Sequence, residues 1–151
     1  MNIDALYQEI ILDHYKKPHG AGLRDPYEAE VHHVNPTCGD EITLRVHLDG
    51  DTVADVSYDA EGCSISQASA SVLNDLVVGK TVAEGMGLLD TFQTLMQGRG
   101  QVEPDEDVLE DGIAFAGVAQ FPARVKCALL SWMAWKDATA QAVANESEDG
   151  R

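Results

Sequence analysis

The chain has 151 residues, of which 44% are hydrophobic and 24% charged, the composition of one globular domain with enough apolar residues for a core. Ten Lys and Arg against 26 Asp and Glu leave a formal charge of −16, which repels phosphate backbones and anionic lipid surfaces, so neither nucleic acid nor a membrane is expected as a partner. The apolar run around Val125 and Trp135 is far too short to span a bilayer, no secretory leader is expected at the start, and three cysteines without a CxxC pair fit a reducing cytoplasm better than a disulfide framework.

Ile3, Leu6, Tyr7, Ile10, Ile11 and His14 recur at helical spacing, and Pro18 ends that first helix at Lys17. A Gly- and Pro-containing loop over residues 19–27 leads to a short strand over 30–34, broken by Asn35 and Pro36. Ile42, Leu44, Val46 and Leu48 alternate with polar residues, Asp49-Gly50-Asp51 forms a turn, and residues 53–60 return as the next strand, giving a three-stranded antiparallel sheet. Ser64 or Ser66 is expected to cap a helix ending at Gly79, and Thr81 with Glu84 forms a capping box for the next one. Residues 97–112 read as an irregular, exposed acidic insertion. Pro122 opens a long final helix expected to cover the sheet, and residues 145–151 read as an acidic disordered tail beyond a single domain over 1–144. The fold class is therefore α+β, a small three-stranded antiparallel sheet packed against helices.

Cys38 and Asp40 precede one strand, Cys63 follows its hairpin partner, and Cys127 lies in the first turns of the last helix. Spacing alone leaves open three idle cysteines and a strand-capping Asp. Placement at one end of one sheet, with Gly39 and Gly62 permitting tight turns, would let the four converge as three thiolates and a carboxylate, a tetrahedral set suited to Zn²⁺. Structural zinc sites are usually all Cys and His, so the Asp ligand points to a site that rearranges.

His32 and His33 alternate in direction on a strand and cannot readily chelate one ion together, so core or surface roles are expected. His14 is expected to pack or to contact a partner; Trp132 and Trp135 read as core and rim, and Met86 and Met96 as core filler. Arg124 and Lys126 flank Cys127 at a helix start, where the dipole disfavours cations; steadying the thiolates or Asp40 and simple solvation are both open roles.

Three segments carry a resemblance: Asn35-Pro36-Thr37-Cys38-Gly39-Asp40, Glu61-Gly62-Cys63-Ser64-Ile65-Ser66 with Ala68-Ser69-Ala70-Ser71, and Phe121-Pro122-Ala123-Arg124-Val125-Lys126-Cys127. With Leu12-Asp13-His14-Tyr15-Lys16, they resemble the SufU branch of the IscU-like (NifU N-terminal-like) proteins of iron–sulfur cluster assembly, over nearly the whole chain except the acidic tail. The resemblance implies an IscU-like fold and a zinc ion on Cys38, Asp40, Cys63 and Cys127. It further implies that Cys38 accepts persulfide sulfur from a SufS-type cysteine desulfurase, which lends a His to the zinc and frees the Cys38 thiolate, for delivery to a downstream iron–sulfur assembly complex. The IscU branch carries a His immediately before its last cysteine, where this chain has Lys126; a protonated Lys ligates neither iron nor zinc, which favours sulfur transfer. The alternatives are an IscU-type scaffold holding iron or an iron–sulfur cluster on the same residues, and a structural zinc-binding adaptor.

Overall fold

In a computed structural model that describes residues 3–36 and 39–149, the chain folds as five α-helices and a three-stranded sheet. Helix α1 (Ile3–Lys16) leads through a loop to β1 (Ala29–Asn35), β2 (Asp40–Asp49) and β3 (Thr52–Glu61), followed by α2 (Ser64–Val77) and α3 (Val82–Gln97). A short α4 (Glu106–Leu109) runs into a 3₁₀ segment (Glu110–Gln120), and α5 (Pro122–Asp149) completes the chain.

The sheet has the order β1-β2-β3 and is antiparallel throughout. Asn35 pairs with Asp40 and Glu41 with Glu61, so the end of β1, the start of β2 and the end of β3 share one edge of the sheet. The alternation read from the sequence is the burial pattern observed: Ile42, Leu44, Val46 and Leu48 are buried on the face covered by helices. Helix α5 lies across β1 and β2, and α2 packs between α1 and α5. Among the described residues, no helix is long and apolar enough to cross a membrane.

Thr81 Oγ1 accepts from Glu84 N at 3.1 Å and Glu84 Oε1 accepts from Thr81 N at 3.0 Å, the expected capping box. Three expectations are corrected. The N-cap of α2 is Cys63, not Ser64 or Ser66; Ser66 instead turns its hydroxyl back to donate to the Cys63 carbonyl at 3.0 Å. Residues 97–112 are only partly irregular: Asp105 caps α4 by accepting from Asp107 N, and Leu109 is 1% exposed, so an apolar anchor draws the segment onto the core. Trp135 is fully buried like Trp132 rather than at a rim, because Gly85 on α3 leaves room for its ring. Met96 is buried and Met86 partly so. Helix α5 runs to Asp149.

Candidate metal centre

Three of the expected ligands meet at that shared sheet edge. Asp40 opens β2 and is 1% exposed; Cys63, partly buried, is the residue before α2; Cys127 lies in the second turn of α5 and is 5% exposed. One carboxylate oxygen and the two sulfurs all lie within 4.8 Å of one another. Ligands held at about 2.0–2.3 Å from a common tetrahedral ion stand about 3.6–3.8 Å apart, so the three donors suit one ion with little side-chain adjustment. Cys38, the fourth expected ligand, lies outside the described residues.

The backbone holds the carboxylate in place. Cys63 N donates to Asp40 Oδ1 at 2.8 Å, and the Cys63 sulfur is 3.3 Å from Oδ2. Cys63 takes extended backbone angles as the N-cap, which frees its N–H for Asp40 and aims its side chain off the helix start. Gly62, at φ +138°, makes this approach possible: a Cβ there would strike the Asp40 carboxylate and come within 2.9 Å of its Cα. The Gly62 carbonyl accepts from Gln67 Nε2 at 2.9 Å. Gly39, at φ +75°, donates its N–H to the Asn35 carbonyl at 2.9 Å and closes the chain back toward Asp40.

A buried carboxylate is costly unless it is paired or coordinates a cation. Asp40, 1% exposed, is such a carboxylate, and the two thiols gathered with it offer donors to the same cation. The donor set of two thiols and a carboxylate fits zinc, and is also compatible with iron.

Arg124 and Lys126 are exposed, and the Arg124 guanidinium lies over the Phe121 ring at 5.1 Å. A cleft of about 630 Å³, lined by residues including Tyr7, Ile11, Ser64, Ile65, Phe121 and Arg124, opens next to the site. Behind it, Ser69 Oγ accepts from Trp132 Nε1 at 3.1 Å and donates to the Ala128 carbonyl at 2.6 Å, joining α2 to α5 just inside Cys63 and Cys127. His32 is exposed and 2.9 Å from Thr43 Oγ1, whereas His33 reaches Asp137 on α5 at 2.8 Å; neither belongs to the site.

Residues 6–128 match the family described as NifU-like N terminal domain. This chain belongs to that family. Within it, the chain is 44% identical over 93% of both lengths to the zinc-dependent sulfurtransferase SufU of Bacillus subtilis (strain 168). It is 43% identical, over 90% of its own length and 84% of the relative's, to the iron–sulfur cluster assembly scaffold protein IscU of Streptococcus pyogenes serotype M1. The crystal structure of FiSufU from Fervidobacterium islandicum AW-1 superposes with a TM-score of 0.77 at 37% identity, covering 91% of this chain and 98% of that one. A NifU-like N-terminal structure from Brucella abortus shares the fold, with a TM-score of 0.84 at 24% identity over 94% and 97% of the two chains. The NifU-like N-terminal fold is thus present in full, and the chain is a SufU/IscU-type member of its family.

Proposed function

We propose that this NifU-like protein works in iron–sulfur cluster assembly in the cytoplasm as a zinc-dependent sulfur acceptor. Its partners are a SufS-type cysteine desulfurase and a downstream assembly complex. The observation that carries the reading is the gathering of Asp40, Cys63 and Cys127 donors within 4.8 Å around a buried carboxylate. Lys126 directly before Cys127 supports it, since a protonated Lys adds no ligand.

In this reading Cys38, Asp40, Cys63 and Cys127 hold zinc, which keeps the thiols deprotonated and protected. The Cys38 thiolate attacks the terminal sulfur of the desulfurase persulfide. A new S–S bond forms on Cys38 as the persulfide bond breaks, and the desulfurase cysteine leaves as a thiolate. Asp40, fixed by the Cys63 N–H, keeps its oxygen facing the cluster while the Cys38 sulfur is engaged. Arg124 and Lys126 lend positive charge at the mouth of the site.

Cys38→Ala in the zinc-loaded protein is expected to abolish sulfane-sulfur uptake from a cysteine desulfurase while zinc and fold persist; full uptake by that variant overturns the assignment. The 43% identity to a protein named as an IscU scaffold favours a second reading, a cluster built on the same residues. Anaerobic reconstitution with iron and sulfide separates the two: a stable visible chromophore supports the scaffold, and a colourless zinc protein that still takes up sulfur supports transfer.

A further inference from the structure

About 18 Å along α2 from Cys63, at Asp75, a second group of metal-binding side chains comes together. His14 on α1 is 4% exposed, with Nδ1 2.7 Å from Ser71 Oγ and Nε2 2.8 Å from Asp111 Oδ2 in the 3₁₀ segment. His19, in the loop after α1, has Nδ1 2.7 and 2.9 Å from the two oxygens of Asp75, and its backbone N–H donates to the same Ser71 hydroxyl at 2.9 Å. The two imidazole rings meet edge to face with centroids 5.0 Å apart. One ring nitrogen of each and one Asp75 oxygen lie within 4.8 Å of one another.

A structural staple explains His14 but not the rest. The His19–Asp75 pair is half exposed, where an ion pair contributes little and costs side-chain freedom. Both residues nonetheless converge on a buried imidazole whose far edge is held by a carboxylate, an arrangement that fixes ring orientation in metal-ligating histidines. Asp111 is itself exposed, so its place at the His14 ring is set by the imidazole rather than by burial. A cleft of about 330 Å³ lined by Asp13, His14, His19 and Asp111, with Lys16 and Lys17 among its walls, reaches both imidazoles, and Asp75 lines a smaller one of about 130 Å³ that shares Asp111 with it.

We propose that His14, His19 and Asp75 form a second metal site, of the two-imidazole and one-carboxylate type, for a divalent first-row ion such as Zn²⁺ or Fe²⁺: Asp111 keeps Nε2 of His14, and the Ser71 hydroxyl turns away from Nδ1 to leave that nitrogen to the ion. Imidazole and carboxylate donors suit these ions. The site shares no residue with the cysteine cluster and does not depend on the sulfur-transfer reading.

The test starts from protein already holding one zinc per chain, equilibrated with free zinc in the micromolar range and analysed for bound metal. Wild type is expected to take up one further zinc, and His19→Ala and Asp75→Asn are expected to keep only the first; both positions are half exposed, and circular dichroism checks the fold. Ring-nitrogen NMR signals of His14 and His19 are expected to shift with the second equivalent and not with the first. Wild type that stops at one zinc, variants that still take up two, or a second ion that leaves the His14 and His19 signals unmoved would each overturn the site.

Discussion

The backbone N–H of Cys63 donates to the Asp40 carboxylate at 2.8 Å, so one residue of the cysteine cluster positions the carboxylate of another. Asp40→Asn keeps an acceptor for that N–H and removes the charge, whereas Asp40→Ala removes both. The Asn variant is expected to retain its unfolding midpoint within about 1 kcal/mol but bind zinc at least about tenfold more weakly, and the Ala variant to lose about 1–3 kcal/mol besides, as a buried donor is left unpaired. Chelator competition and urea unfolding of the two proteins separate these effects.

Gly62 tests the same corner sterically. Its φ of +138° is closed to other residues, and an added Cβ meets the Asp40 carboxylate. Gly62→Ala is expected to cost about 1–3 kcal/mol and to lower bound zinc as Asp40 is pushed aside. Gly50→Ala, at φ +63° with nothing within 4 Å of its Cβ, should be destabilised by backbone strain with zinc content unchanged. Metal analysis of both variants is the discriminating measurement.

Ser69 joins the two cysteine-bearing helices. Ser69→Ala strands the Trp132 N–H and the Ala128 carbonyl in a region with no solvent access, and about 1–3 kcal/mol of stability should disappear. Because α2 and α5 then lose their direct polar link, zinc release in chelator should quicken as well. An unchanged urea midpoint would mean that buried water replaces the hydroxyl.

Tyr58 governs the alkaline limit. Burial, reinforced by the nearby Asp75 charge, pushes its phenol well above the ordinary tyrosine range, and its hydroxyl donates to the His19 carbonyl at 2.8 Å. The folded state therefore holds its proton where the unfolded chain has released it, so this residue's contribution is intact below about pH 10 and declines as pH rises above that. Tyr58→Phe should be less stable at pH 7 by about 1 kcal/mol, yet lose less stability than wild type between pH 9 and 11. Urea midpoints across that range provide the comparison.

Much of this was legible in the chain itself. Strict alternation from Ile42 to Leu48 and the Asp49-Gly50-Asp51 turn dictate the hairpin, and the hairpin brings Asp40 and Cys63 to one edge. Cys127 joins them because Pro122 sets where the last helix starts. Cys63 was not legible as the N-cap: hydroxyl side chains are better caps, and only the carboxylate of Asp40, arriving from another strand, draws its N–H away from that pattern. The His14 network was hidden for a related reason, since Ser71 and Asp111 lie 57 and 97 residues from His14 and no local periodicity announces such a meeting. Leu109 is one apolar residue in an acidic stretch, too sparse a pattern to reveal the short helix it anchors.

Helix α5 is a single 28-residue rod, about 42 Å long, that bears Cys127 near one end. Farther along it is pinned by fully buried Trp132 and Trp135, by Asp137 to His33 on β1, and by Asn145 to the Glu28 carbonyl. A pull on the Cys127 sulfur is therefore resisted by the whole sheet, as a clamped beam resists load at its tip. In the proposed zinc site a change of coordination at Cys127 would therefore come from turning its side chain rather than from sliding its backbone, with α5 a fixed point for the rest of the cluster.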